Sequence, residues 1–141
     1  MFTKNSDSSE SNSIIGEGSY FKGEFTLNGT LRVDGCYEGE KLEVENVFVG
    51  PTGKIKSNIK TVSAVIEGII IGNIEAKNRV MLMPTSRVLG EIRTPELIIQ
   101  NGVILEGLCI VAPDPLTNPK ETIISLYNNE NANSLITTND N

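Results

Sequence analysis

From Phe21 to Tyr37 the chain alternates. Phe21, Gly23, Phe25, Leu27, Gly29, Leu31, Val33, Gly35 and Tyr37 are apolar or glycine, and Lys22, Glu24, Thr26, Asn28, Thr30, Arg32 and Asp34 separate them. Successive side chains of a strand point to opposite faces, so this pattern predicts strands with one buried face. Val47 with Val49, Val80 with Leu82, and Leu97 with Ile99 continue it. No run of ten or more residues carries a 3.6-residue apolar stripe, and the expectation is an all-β domain.

The alternation is also repetitive. A kernel of apolar residue, any residue, glycine, any residue, apolar residue stands at Phe21-Gly23-Phe25, Ile70-Gly72-Ile74, Val88-Gly90-Ile92 and Leu105-Gly107-Cys109. Two degenerate copies fill the gaps: Tyr37-Gly39-Lys41 lacks the last apolar residue, and Ile55-Ser57-Ile59 has serine for glycine. The central positions are separated by 16, 18, 15, 18 and 17 residues. Self-similarity at a short period marks a stacked solenoid rather than a sandwich. Asn28-Gly29 and Asp34-Gly35 sit inside the alternation, where a hairpin would break it; only at Asn101-Gly102 could a hairpin be argued. Six copies predict about six coils of a parallel β-helix, on the order of 30 Å long at the usual strand spacing. The predicted core is Ile55, Ile59, Ile70, Ile74, Val88 and Ile92, with Val49, Leu82 and Ile99. Glycines 23, 29 and 35, six apart, hint at a three-sided first coil.

A solenoid must cap its ends or join them to another chain, because each terminal coil presents unpaired backbone and an apolar cross-section. No amphipathic segment precedes residue 14 or follows residue 111. Residues 1–13 are polar after Phe2, and residues 112–141 hold three prolines in their first eight positions and then an Asn/Thr-rich run. Both are expected to be disordered tails flanking a 14–111 domain, with Ile123, Ile124, Leu126 and Tyr127 as one small docking patch. Ile14, Ile15 and Phe21 at one end, and Leu105, Leu108 and Ile110 at the other, then become candidate polymer-contact residues, unless the tails fold over them.

Charge and chemistry remove other functions. Residues 14–111 hold 12 acidic and 10 basic side chains, interspersed, with no basic stripe for a phosphate backbone, so nucleic acid is not an expected partner. No apolar run reaches transmembrane length, residues 1–13 lack the apolar segment of a signal peptide, and the expected location is the cytoplasm. Histidine is absent, which removes the usual general base and metal ligand of β-helix acyltransferases and hydratases. Cys36 and Cys109 match no metal spacing; Cys109 falls on an inward position and reads as a buried small hydrophobe, and Cys36 faces outward. Gly16-Glu17-Gly18 lacks the Lys-Ser/Thr of a phosphate loop, and Glu67, Glu75 and Glu91 read as a solvated face. No catalytic residue, cofactor or metal ligand is expected. The alternative in another class is a non-polymerising ligand-binding solenoid or a His-free transferase-like enzyme.

Five landmarks in order, Ile15-Gly-Glu-Gly, Leu31-Arg-Val-Asp-Gly, Gly72-Asn-Ile-Glu-Ala, Gly90-Glu-Ile-Arg-Thr-Pro and Gly107-Leu-Cys, make residues 14–111 resemble the bactofilins, bacterial cytoskeletal proteins. The resemblance implies a right-handed parallel β-helix of about six windings and nucleotide-independent polymerisation with like ends meeting. It further implies a scaffold for cell-shape or cell-envelope proteins. In the family a Phe of the last windings packs at the polymer contact, and the matching position is Leu105. Met1-Phe2-Thr3-Lys4 is similar to the membrane-targeting start of some members, which makes Met1, Phe2 and Lys4 candidates for contact with the inner face of the cytoplasmic membrane.

Overall fold

The computed structural model describes residues 12–114 and 118–139. Among them the chain winds into a parallel β-solenoid with three walls. The first wall stacks β1 (Ser13–Ile15), the ends of β3 (Phe25–Val33), β4 (Cys36–Val49), β5 (Lys54–Ile66) and β7 (Ile74–Leu82), and finally β10 (Leu97–Ile99). The second stacks β2 (Tyr20–Lys22), the starts of β4 and β5, then β6 (Ile69–Ile71), β8 (Arg87–Leu89) and β11 (Ile104–Glu106). The third stacks the start of β3, the middles of β4 and β5, the start of β7, then β9 (Ile92–Thr94) and β12 (Cys109–Val111). Every pairing is parallel, and each wall has six rungs.

The registers align the kernels. Phe21, Tyr37, Ile55, Ile70, Val88 and Leu105 form one inward column, paired rung by rung. Phe25, Leu42, Ile59, Ile74, Ile92 and Cys109 form a second. The second column corrects the degenerate copy at Tyr37. The strand register shifts between Glu38 and Lys41, and the extra residue lets Leu42 turn inward beside Ile59 while Lys41 pairs Asn58 outside. The apolar residue was displaced by one position, not lost.

Of the nine predicted core residues, all but Ile99 are buried to 3 % exposure or less. Each fully buried Ile or Leu contributes about 2 kcal/mol of transfer free energy. Tyr37 is wholly buried, and its hydroxyl lies 2.8 Å from both the Gly23 and Lys41 carbonyls, which fixes the widened corner of the second coil. At the corner between the second and third walls, Gly72 and Gly90 have φ of +145°, and a Cβ on Gly90 would stand 1.9 Å from the Gly72 oxygen. Only glycine permits that approach. The same corner carries an amide ladder: Asn58 Oδ1 accepts from Asn73 N–H at 3.2 Å, and Asn73 Oδ1 accepts from Glu91 N–H at 3.0 Å. The three-sided geometry hinted at by glycines 23, 29 and 35 extends beyond the first coil, since all six coils are three-sided.

The boundaries move slightly. Asn12 already belongs to the first coil: its N–H donates to Thr30 O and its Oδ1 accepts from Thr30 N–H, both at 2.9 Å. Beyond the solenoid, α1 (Pro119–Asn139) is helical where the sequence pattern predicts no regular structure. Its start has local causes: Asn118 Oδ1 accepts from Lys120 N–H at 3.1 Å, Pro119 occupies the first position, and Glu121 lies in the first turn. Residues 121–129, including Ile123, Ile124, Leu126 and Tyr127, are all exposed. None of its described side chains joins the core.

Candidate assembly site

Stacking satisfies every coil except the first and last. Among the described residues, β1 and β2 pair only with β3 and β4, and β10, β11 and β12 pair only with β7, β8 and β9. Each end therefore offers three strands whose outer backbone groups have no strand neighbour, around an apolar cross-section. Unpaired strand edges of this kind are templates for another chain.

The first coil closes its column with aromatic rings. Phe21 stacks on Tyr37 with centroids 5.4 Å apart and planes within 7°, and meets Phe25 edge to face at 5.7 Å. Phe21, Phe25 and Leu27 are half-buried, and Ile15 is buried. The last coil is aliphatic: Leu97, Val103 and Leu105 are half-buried against the core, while Ile99, Cys109 and Val111 are exposed although they pair with the buried Leu82, Ile92 and Thr94. Cys109 and Ile99 thus correct the expectation of burial. Their inward phase was right, but among the described residues no rung follows to cover them. Partial burial still pushes the Cys109 thiol pKa above its ordinary value.

The six polymer-contact candidates divide accordingly. Ile15, Phe21 and Leu105 lie in inward columns of the terminal coils. Ile14 pairs Arg32 and Ile110 pairs Arg93, on outward faces of the walls, and Leu108 is an exposed corner residue whose carbonyl accepts from Ile92 N–H at 2.8 Å. Phe25, Leu97, Ile99, Val103 and Val111 belong to the end faces too, and the strand alternation could have nominated each of them. Met1, Phe2 and Lys4 lie outside the described residues.

The walls hold no converging chemistry among the described residues. A groove of about 440 Å³ on the third wall is lined by Glu43, Lys60, Glu75 and Lys77 among others. Glu43 pairs Lys60, Lys60 pairs Glu75, and Glu75 pairs Arg93 from coil to coil. Glu43 and Glu75 therefore each have a cation on a neighbouring rung. Among the described residues, no three carboxylate or thiol groups gather as metal ligands, and no helix is long and apolar enough to cross a membrane.

Among the described residues the chain is a parallel β-solenoid whose terminal coils have no strand neighbour on their outer sides. Residues 13–110 match the bactofilin family, described as polymer-forming cytoskeletal, and the chain belongs to that family. It is similar to two Myxococcus xanthus (strain DK1622) proteins. Bactofilin BacP is 33 % identical over 96 residues, which cover 68 % of this chain and 40 % of that protein. Bactofilin BacO is 30 % identical over 96 residues, covering 68 % and 76 %. No solved structure matches the chain.

Proposed function

We propose that the protein is a cytoplasmic scaffold that polymerises without nucleotide, end to end, with like ends meeting. The observation that carries this reading is the pair of open terminal coils, each with an apolar column and unpaired strand backbone. The family description and the bactofilin relatives support it. The filament lies on the inner face of the cytoplasmic membrane, held by Met1, Phe2 and Lys4, and organises cell-shape or cell-envelope proteins. One Phe and one Lys bind weakly per subunit, so attachment depends on many copies along the filament.

Leu105→Arg tests the end contact. It puts an unpaired charge on the last coil, where a facing subunit would have to desolvate it. With like ends meeting, first-coil contacts survive and the chain stops at dimers in size-exclusion chromatography. Head-to-tail stacking would instead leave monomers, because every contact would need a last coil. Filaments of undiminished length by electron microscopy would remove Leu105 from the contact. For the membrane, Phe2→Ser filaments should no longer float with anionic vesicles, and unchanged flotation would refute the role of the tail.

A further inference from the structure

The outward face of the second wall changes character halfway along the rod. Over its first two rungs it is polar, with the Tyr20 hydroxyl donating to Glu38 Oε1 at 2.7 Å. Over the last three it carries Ile69, Ile71, Leu89 and Ile104, exposed by 39, 43, 50 and 59 %. These four residues are neighbours by register, since β6 pairs β8 and β8 pairs β11. Leucine and isoleucine in outward positions of three consecutive rungs contribute nothing to the core. Together they expose on the order of 300 Å² of apolar side chain, a patch size that marks an interaction surface rather than scattered exposure.

The charges around the patch specify its occupant. Read along the rod, one outward column runs Lys56, Ile71, Leu89, Glu106. Turned end for end against itself, that series is self-complementary: Lys56 meets Glu106, and Ile71 meets Leu89, on both sides of a two-fold axis. The neighbouring column runs Lys54, Ile69, Arg87, Ile104. Arg87 does not spoil the pairing, because its Nη1 lies 2.8 Å from Ser86 O and 3.3 Å from Pro84 O and Gly102 O, at the corner. A parallel pair would instead set Lys54 against Lys56, which like-charge repulsion disfavours. The side chains of Lys54, Lys56 and Glu106 form no ion pair or hydrogen bond among the described residues.

We infer that the second wall is a lateral contact between copies of this chain, packed antiparallel wall to wall, with Ile71 on Leu89 and Lys56 against Glu106. The area is well below the ~800 Å² per partner of a standard interface, so isolated subunits pair weakly. Repetition along the filament proposed above makes the contact firm, and for that strength alone the inference rests on that reading. The product is bundled filaments.

The test is a cysteine pair, Lys56→Cys with Glu106→Cys, oxidised in the polymer and mapped by mass spectrometry. Within one chain these positions lie three rungs, roughly 14 Å, apart, too far for a disulfide, so a 56–106 link joins two chains. The expected result is 56–106 links between chains and no 56–56 link; dominant 56–56 links, or no 56–106 link, overturn the arrangement. Separately, Ile71→Lys with Leu89→Lys should reduce the bundled fraction in a low-speed pellet at least fivefold, with single filaments of wild-type length remaining. Undiminished bundles, or loss of anionic-vesicle flotation with bundles intact, would mean that the patch serves another surface. Failure of end-to-end assembly is a different outcome, visible as the absence of filaments from the wild-type chain, and 56–106 crosslinking at high protein concentration still decides the lateral contact.

Discussion

Replacing Gly90 by alanine puts the tight stacking of the coils to a quantitative test. Gly90 has φ of +145°, a conformation that costs a residue with a side chain about 1–3 kcal/mol. The added Cβ would stand 1.9 Å from Gly72 O and 2.6 Å from Gly72 C, against an ordinary non-bonded separation of roughly 3.5 Å. The corner must therefore open by more than an ångström. That movement strains the bonds from Gly72 N–H to Leu89 O at 2.9 Å and from Gly90 N–H to Glu106 O at 3.0 Å, each contributing about 1 kcal/mol. The expected loss is about 3–5 kcal/mol. The assay is urea unfolding followed by far-ultraviolet circular dichroism, in a Leu105→Arg background so that filament formation does not add to the apparent stability. With a slope of about 1–1.5 kcal/mol/M, the midpoint should fall by about 2–5 M. Gly16→Ala is the control, because nothing lies within 4 Å of its added Cβ and its φ is not positive. A Gly90→Ala midpoint within about 0.3 M of its parent, or an equal fall for Gly16→Ala, would refute the close approach of backbone at this corner.

Four further outcomes follow from the same geometry. Tyr37→Phe should cost about 1–2 kcal/mol at pH 8 by leaving the Gly23 and Lys41 carbonyls without the hydroxyl. Burial raises the Tyr37 pKa above 10.0, so its contribution is complete below pH 10 and is lost as pH rises through the folded value; the stability gap between wild type and Tyr37→Phe should narrow in that direction, and a gap independent of pH would contradict it. Cys109 should react with maleimide in Leu105→Arg and be protected in filaments, and equal labelling of both would remove the last coil from the contact. Since burial raises its thiol pKa, the labelling rate should keep climbing with pH past the range where an ordinary thiol levels off.

The repeat was legible because strand alternation and coil length are both written in residue spacing. That is why Val88, Ile92 and the other kernel residues appear in the columns where their phase puts them. Leu42 escaped because a single inserted residue shifts phase, and period-2 reasoning has no means of locating a bulge. Ile99 and Cys109 show a different limit: phase determines which way a side chain points, but position in the stack determines whether anything covers it. The phase that turns Ile70 inward turns Ile69 and Ile71 outward, and the register then sets them beside Leu89 and Ile104 in an exposed patch. Helix α1 carries no apolar stripe, so its only sequence signals are Asn118, Pro119 and Glu121 at its start.

In a stacked solenoid, assembly and folding are one interaction repeated. An interior rung such as 54–56 is held by a rung on each side, whereas β2 and β11 have a neighbour on one side only. Stability in such an array is close to a sum of rung and interface contributions, so the terminal coils are the first to open. A facing subunit supplies the missing neighbour and covers Phe21 and Phe25 at one end, or Leu105, Ile99 and Val111 at the other. Polymerisation should therefore order the coils it uses, and a weak terminal coil lowers the apparent affinity by the fraction of time it is open. Hydrogen exchange can separate this from rigid-body docking. Amides of 97–111 should gain protection on assembly by more than those of 54–82, which are already sandwiched. Equal protection across the rod in the unassembled chain would show that the ends are as firmly ordered as the middle, and that the facing subunit adds contact without adding fold.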